Sequence, residues 1–487
     1  MENLNELLLI RREKLANLQA AGRDPYRVDR YDRDSFAGDI LERFDEYEGK
    51  EVAIAGRIMA NRDMGKASFV DVLDSTGRIQ VYVRKDMIGD EEYEYFKTYD
   101  IGDIIGLKGV VFRTKKEEKS VKASEVVLLT KSLQILPEKF HGLKDVETRY
   151  RQRYVDMIVN PEVKDTLMKK FKIMAAMKEY FVKEKFVEVE TPVLSVIAGG
   201  ANAKPFITHH NAYDIDMYMR IANELYLKRL IVGGFDKVFE MGKMFRNEGV
   251  SYKHHPEYTS VELYAAYRNY EYMIEVTEQA ISRSCLAVNG SMKVKYDEFE
   301  LDFTPPWRRV SMHDLVKEKT GVDFYALSSD EEARQIAKHK LNLEVSESMT
   351  KGSLVNLAFE EFCEEDLIQP TFVLHHPVEV SPLAKRNPDH PEYTNRFEAF
   401  AAKMEIANGF SELNDPIDQR ARFEEQARKK AAGDEEAHMM DYDFLNAIEV
   451  GLPPTAGLGI GVDRAIMILT DNQNIREIIP FPTMKLK

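Results

Sequence analysis

Residues 238–264 read VFEMGKMFRNEGVSYKHHPEYTSVELY. Two stretches of strand-forming residues, Val238–Arg246 and Tyr258–Tyr264, flank a polar loop, Asn247–Glu257. Side chains alternate across a strand, so Tyr258, Ser260, Glu262 and Tyr264 share one face. Such a face is costly inside a core, because a buried Glu needs a partner. It suits the floor of a pocket that receives a flat ring and a cation; a solvated sheet face is the plain alternative. Asn408-Gly-Phe-Ser-Glu412 repeats the pattern, with Asn408, Phe410 and Glu412 on one face. Glu398 and Glu405 lie upstream across a predicted hairpin. Two carboxylates beside phosphates suit magnesium, which prefers hard oxygen ligands; an ordinary solvated acidic pair is the plain alternative. Simple alternation puts Glu405 opposite Asn408, and a bulge near Ala407–Gly409 would bring them together.

Two arginines stand out: Arg246 in Phe-Arg-Asn-Glu-Gly (245–249) and Arg464 at the end of Gly-x-Gly-x-Gly-x-Asp-Arg (457–464). Guanidinium stays charged and offers a planar fork to phosphate or carboxylate. Gly457, Gly459 and Gly461 fall on one strand face, where bare backbone lets a flat ligand lie against the sheet. Arg464 then projects from a helix start. The spacing is GxGxG, and no βαβ unit precedes it, which disfavours a dinucleotide fingerprint. Gly199-Gly200-Ala201 marks a loop able to approach a ligand by its backbone, or an ordinary surface loop. His209-His210 and His254-His255 lack the spacing of a metal site.

The 487 residues exceed one core, so two or three domains are expected. Only two cysteines occur, Cys285 and Cys363, which fits a reducing cytosol. The apolar run Leu7–Ile10 is short for a signal peptide and meets Arg11 and Arg12. A net charge of −15 removes the simplest argument for RNA binding, a basic footprint.

Residues 4–21 read as an amphipathic helix ending at Gly22. Five strand candidates follow, from Val52, Phe69, Arg78, Ile104 and Glu125, with a turn at Asp74–Gly77 and a polar helix over 86–97. That order predicts an OB-fold β-barrel. The stretch 134–165 reads as a hinge, closing on Asn160 as N-cap and Pro161 at the first helical position. Leu167, Phe171, Met174 and Ala175 follow at helical spacing. Beyond them the mixture of elements predicts an α+β domain on an antiparallel sheet, with three acidic helical segments over 312–366. The domains expected are 1–145 and 146–487, the second carrying a mostly helical insertion at 310–366.

The residues around both arginines resemble motifs 2 and 3 of the class II aminoacyl-tRNA synthetases. The likeness is specific to the lysyl, bacterial-like type. It rests on Phe-Val-Glu-Val-Glu-Thr-Pro (186–192) as motif 1, Gly-Gly-Ala-Asn-Ala-Lys-Pro-Phe (199–206), Glu-Leu-Tyr-Leu-Lys (224–228), 245–249, Ser-Glu-Leu-Asn-Asp (411–415) and 451–464. Upstream, Gly-Lys-Ala-Ser-Phe (65–69) resembles the anticodon-binding OB domain of that family. The resemblance covers roughly residues 50 to 485.

The resemblance implies that Arg246 binds the ATP α-phosphate and the lysine carboxylate, and that Arg464 holds the γ-phosphate. Glu248 and His254 would contact ATP, with Tyr258 stacked on adenine. Gly200 and Glu224 would receive the α-amino group, and Asn408 the carboxylate. Glu262, Tyr264 and Glu412 would read the side-chain ammonium, with Phe410 packed on its methylenes. Glu398 and Glu405 would bind Mg2+. Phe69 would stack on an anticodon base and Gln80 contact one. The expected partners are tRNA(Lys), ATP and L-lysine, in a cytoplasmic homodimer joined through motif 1. An aspartate site would need a cation where Glu262 and Glu412 stand, so the acidic pair selects an ammonium. Asn223 stands where the family commonly has Pro, which would loosen the local loop, and Tyr258 replaces the more frequent Phe. Two rivals within the family are a ligase that attaches lysine to elongation factor P, which lacks the N-terminal barrel, and a non-catalytic paralogue, against which the intact Arg246, Arg464, Glu398 and Glu405 argue.

Overall fold

The computed structural model describes residues 6–137, 143–201, 203–431 and 439–486. Leu4 and Asn5 of the predicted first helix, Glu138 and Lys139 of the predicted hinge, and Asn202 lie outside the described residues. The chain forms two compact units, Met1–Lys144 and Asp145–Lys487.

In the first unit, helix α1 (Glu6–Ala20) precedes five strands: β1 (Glu51–Asp63), β2 (Ala67–Leu73), β3 (Arg78–Arg84), β4 (Ile104–Arg113) and β5 (Lys119–Thr130). They close into a barrel in the order β1-β2-β3-β5-β4, an OB-fold. Alternation builds it: β2 buries Val70 and Val72, β3 buries Ile79, Val81 and Val83, and the residues between face outward. Asp74 makes the predicted turn by accepting from the backbone N–H groups of Thr76 and Gly77. The helix predicted over 86–97 is broken at Gly89 (φ +94°) into Lys85–Ile88 and Asp90–Phe96. Helix α1 is not the amphipathic element expected, because Leu7, Leu9 and Ile10 are exposed. Instead Arg11 is buried, and its guanidinium donates to the carbonyls of Ile101, Ser132 and Gln134.

The second unit is built on an eight-stranded sheet. Its elements are α2 (Pro161–Lys183), β6 (Val187–Glu188), α3 (Glu224–Val232), β7 (Lys237–Phe245), β8 (Glu257–Ala266), α4 (Tyr270–Asn289), β9 (Arg308–Ser311), β10 (Thr371–Leu374), β11 (Arg396–Ala401), β12 (Met404–Ser411), β13 (Thr455–Ile460) and α5 (Val462–Leu469). The strand order is β9-β10-β11-β12-β13-β8-β7-β6. The sheet is antiparallel through its centre, but β6 and β9 pair parallel with their neighbours at the two edges. One core joins Ile173, Met177 and Phe181 of α2, Met273 and Ile281 of α4, Ile466 of α5 and the inner faces of the strands. The three helices Met312–Thr320, Asp330–His339 and Lys351–Phe362 occupy the predicted acidic insertion and share a separate core.

Three local expectations are corrected. The stretch read as a hinge is largely helical, over Val146–Arg151 and Arg153–Val159, because Arg153 and Asp156 form a buried ion pair there. Asn160 does precede α2, yet its side chain does not cap; the amide donates to Asp156 at 2.7 Å. Of the α2 residues chosen by spacing, Leu167 is buried, while Phe171 is 51% exposed and outside the core.

Candidate active site

The site grows from the register of three neighbouring strands. Gly457 of β13 lies opposite Tyr264 of β8 on one side and Phe410 of β12 on the other. Gly459 lies in the same way between Glu262 and Asn408. The glycines therefore form a bare strip between two rows of functional side chains, above which a cavity of about 410 Å³ opens. A Cβ on Gly457 would overlap Glu412 Oε1 and come within 2.7 Å of Tyr264 Cε1, so this glycine makes room for the acidic side chains. Gly461 is not on the strand as expected; it precedes α5 as its N-terminal flanking residue.

Twelve predicted site residues line this cavity: Gly200, Glu224, Arg246, Glu248, His254, Tyr258, Glu262, Tyr264, Glu405, Asn408, Phe410 and Arg464. Arg246 follows β7, and its backbone N–H donates to Pro256 O at 2.9 Å, closing the loop between the two strands. Its guanidinium lies 5.4 Å from the Tyr258 ring centroid, and its buried Nε has no hydrogen-bond partner. Arg464 donates to Glu405 O at 2.8 Å and lies 3.2 Å from His254 Nε2. Burial and the charge of Arg464 hold the His254 imidazole below its ordinary range, which keeps it neutral. Gly200 adopts φ +90°, beside Ala222 and Glu224, a conformation that glycine permits. Glu248 is exposed, and one oxygen faces the backbone N–H of Lys204 at 3.4 Å.

Acid is concentrated at the opposite end. Tyr264 donates to Glu262 Oε2 at 3.1 Å. Burial, with the neighbouring charge of Glu224, pushes the Glu262 carboxyl up to about 8. Burial and the charges of Glu224 and Glu262 likewise raise the Tyr264 phenol well above its ordinary range. Glu412 is not on the cavity wall; it sits behind it, 1% exposed, with Oε2 paired to Lys228. Lys228 also donates to Glu224 Oε1 at 2.5 Å. Asn223 does not loosen its loop: it is fully buried and donates to Glu240 Oε2 at 2.9 Å. Glu240 in turn accepts from Arg220 at 2.5 Å and from Thr191 of the first motif at 2.7 Å.

The second carboxylate pair lies on the β11–β12 hairpin. Glu398 faces Asn408 and Phe400 faces Glu405, with the register shifting between them, so Ile406 is the extra residue of a bulge. The bulge predicted at 407–409 thus falls slightly earlier, and it turns Glu405 onto the cavity with Asn408. Glu398 stays behind Asn408, paired with Arg396 at 2.5 Å. Burial, then the charge of Glu398, raises the Glu405 carboxyl. A pair of oxygen donors that repel one another fits a divalent cation whose remaining ligands come from phosphates. Among the described residues, no group of three His, Cys, Asp or Glu side chains is placed to hold a metal without such help.

Sequence reasoning passed over two residues. Arg396 donates to Asn408 Oδ1 at 3.1 Å and fixes that amide; its signal was the alternation Arg396, Glu398 along one strand. Lys228 was quoted within a motif but given no role, although its i+4 spacing from Glu224 on a helix put the two on one face.

In the barrel, Phe69 of β2 stands opposite Tyr82 of β3, with ring centroids 4.6 Å apart and stacked. Gln80 lies on the same outer face and accepts from Ser120 Oγ at 3.0 Å. Phe112 extends the aromatic row, 6.2 Å from Tyr82. Stacked aromatics on an OB-fold sheet are a platform for unpaired bases.

Comparison with known proteins agrees with this architecture. Residues 145–485 match the family described as tRNA synthetases class II (D, K and N), and residues 52–129 match an OB-fold nucleic acid binding domain. A lysine–tRNA ligase of Thermoanaerobacter pseudethanolicus is 58% identical over 486 residues, spanning 100% of this chain and 97% of the relative. One of Clostridium perfringens is 55% identical over 487 residues, spanning 99% and 97%. One of Halalkalibacterium halodurans is 54% identical over 491 residues, spanning 99% and 98%. With an OB-fold barrel, a mainly antiparallel sheet bearing two convergent arginines, and this similarity along its whole length, the chain belongs to the class II tRNA synthetases, among the lysine–tRNA ligases.

Proposed function

We propose that this chain activates lysine with ATP, giving lysyl-adenylate and pyrophosphate, and then passes the lysyl group to the 3′ end of tRNA(Lys). The observation that carries the reading is one cavity with Arg246 and Arg464 at one end and Glu224, Glu262 and Tyr264 at the other. Adenine stacks on Tyr258, with Glu248 and His254 beside the nucleotide. Arg464 holds the γ-phosphate. Arg246 touches both reactants, the α-phosphate and the lysine carboxylate; the unpartnered Nε leaves its fork uncommitted. Asn408, its oxygen held by Arg396, offers its amide nitrogen to that carboxylate. Gly200 and Glu224 receive the α-ammonium. Glu262 and Tyr264 receive the side-chain ammonium, supported by Glu412 from behind, and Phe410 packs on the methylenes.

The lysine carboxylate attacks the α-phosphorus and pyrophosphate leaves. The terminal adenosine hydroxyl of the tRNA then attacks the activated carbonyl and AMP leaves. No side chain acts as nucleophile, so positioning and charge stabilisation supply the rate. Glu398 and Glu405 would hold magnesium, which would offset the charge of the triphosphate. Phe69, Tyr82 and Gln80 take the anticodon bases. A homodimer buries the face around motif 1 and α2, where Met168, Phe171, Val182 and Val187 are exposed. A cytoplasmic setting fits two buried free thiols, Cys285 and Cys363.

ATP–pyrophosphate exchange against all twenty amino acids with magnesium tests the reading. Exchange with lysine alone, lost in Arg246→Ala, is the expected result. Exchange with aspartate or asparagine would overturn the pocket assignment, and exchange surviving in Arg246→Ala would overturn the role of that arginine.

A further inference from the structure

Helix α3 presents Glu224 and Lys228 one turn apart on one face. Lys228 is fully buried, and its ammonium bridges Glu224 Oε1 and Glu412 Oε2. The rings of Phe410 and Phe444 lie 5.7 Å from Nζ and keep water away. The other titratable groups of this region are Glu262 and Tyr264 of β8, which face the same carboxylates, and Glu240 of β7, which lies opposite Glu262 and is paired with Arg220. Asp441 and Asp443, at the start of the helix Tyr442–Gly451, are taken up by Arg229. Burial draws the Lys228 ammonium downward, but the charges of Glu224 and Glu412 reverse this, so it keeps its proton.

Three carboxylates, Glu224, Glu262 and Glu412, thus meet one built-in ammonium. When all are ionised, two negative charges remain uncompensated. An amino acid with an ammonium at each end, its carboxylate neutralised by Arg246, brings two positive charges. Oε1 of Glu412 is buried without a hydrogen-bond partner, an acceptor whose donor the protein does not supply.

We propose that Lys228 is a specificity-determining positioning residue: its buried ammonium ties Glu224 to Glu412 and leaves the pocket with the two negative charges that a two-ammonium amino acid neutralises. This rests on the reading that Glu224, Glu262 and Tyr264 receive lysine. Burial and the charges of Glu224 and Glu262 push the Glu412 carboxyl well above its ordinary range, and the ammonium of Lys228 beside it opposes them; without Lys228 it takes up a proton at neutral pH. A protonated Glu412 attracts an ammonium poorly, and higher pH restores the carboxylate.

The test is pyrophosphate exchange by Lys228→Met and Lys228→Arg between pH 7 and 9. Lys228→Met raises KM for lysine about tenfold or more at pH 7, with a smaller change in kcat, and the excess shrinks toward pH 9. Lys228→Arg, which keeps the charge, recovers part of the loss. If Lys228 serves only to hold the fold, kcat falls with the folded fraction and KM follows the parent pH profile; that result overturns the proposal. Should neither variant fold, calorimetric titration of the parent with lysine at pH 7, in buffers of different ionisation enthalpy, decides. Burial raises the Glu412 carboxyl well above its ordinary range and the Lys228 ammonium opposes that rise. If Lys228 keeps the carboxylate charged, Glu262 is the group that gives up a proton and about one is released per lysine. Release approaching two would overturn the proposal. Glu262→Gln separates the two readings. An unchanged lysine KM there sinks the pocket assignment itself, whereas a raised KM beside a parent-like Lys228→Met sinks only this inference.

Discussion

Gly457→Ala is the sharpest probe of the pocket, because it adds a single methyl group at a point the structure defines. That methyl would clash with Glu412 Oε1 and approach Tyr264 Cε1 to 2.7 Å. Neither side chain can swing into solvent: Glu412 is 1% and Tyr264 3% exposed. The strand must bow or Glu412 must leave its place beside Lys228. Overpacking of this kind costs about 1–3 kcal/mol. At ~1.4 kcal/mol per tenfold, KM for lysine rises about five- to 150-fold if the strain falls on substrate binding. KM for ATP stays within about twofold, because Tyr258 and Arg246 do not touch Gly457 in this register. Pyrophosphate exchange with each substrate varied in turn measures both constants, and a thermal melt reports any strain that goes into the fold. A variant with parent-like lysine KM and parent-like melting would refute the reasoning, since the added methyl would then cost nothing anywhere.

Three further outcomes are expected. Glu262, raised to about 8, is neutral below that pH and ionises as pH rises through it, so its attraction for an ammonium grows with pH. KM for lysine should fall about fivefold from pH 7 to 8, as the ionised fraction climbs from roughly a tenth to a half, and Glu262→Gln should abolish the trend; a flat parent profile would contradict the buried carboxyl. Phe69→Ala removes a stacking surface worth ~1–3 kcal/mol per base, so tRNA charging should weaken while pyrophosphate exchange is spared. Equal loss of both steps would assign the barrel another task. Phe171→Glu places a charge on the exposed face of α2 and should halve the sedimenting mass, whereas a mass unchanged from the parent would move the dimer interface elsewhere.

Where sequence patterns were local, they translated directly into structure. The period of two in Phe69–Leu73 and Arg78–Val83 gave the barrel strands, and Asp74 gave their turn. The same period placed Tyr258, Glu262 and Tyr264 on one wall. The resemblance to motifs 2 and 3 singled out Arg246 and Arg464, 218 residues apart by number, and both line the cavity. The readings that failed involve burial rather than periodicity. The stretch 134–165 read as a hinge, whereas within it Arg153 and Asp156 neutralise each other in the interior. Phe171 looked like core by spacing, but a helix period does not say which face turns inward.

By itself the sequence determined the order of elements, the OB-fold barrel, the family and twelve of the residues that line the cavity, because strand alternation and motif spacing are short-range. Only the tertiary structure decided which carboxylates stand in the wall and which behind it. Glu412 and Glu398 share strand faces with their pocket neighbours, yet Lys228 and Arg396 draw them back. The position of the bulge, at Ile406 rather than at 407–409, and the burial that raises Glu262 are equally invisible in the chain. Each depends on strands brought together across long stretches of sequence, where desolvation and neighbouring charge, rather than residue type, set the state of a carboxyl group.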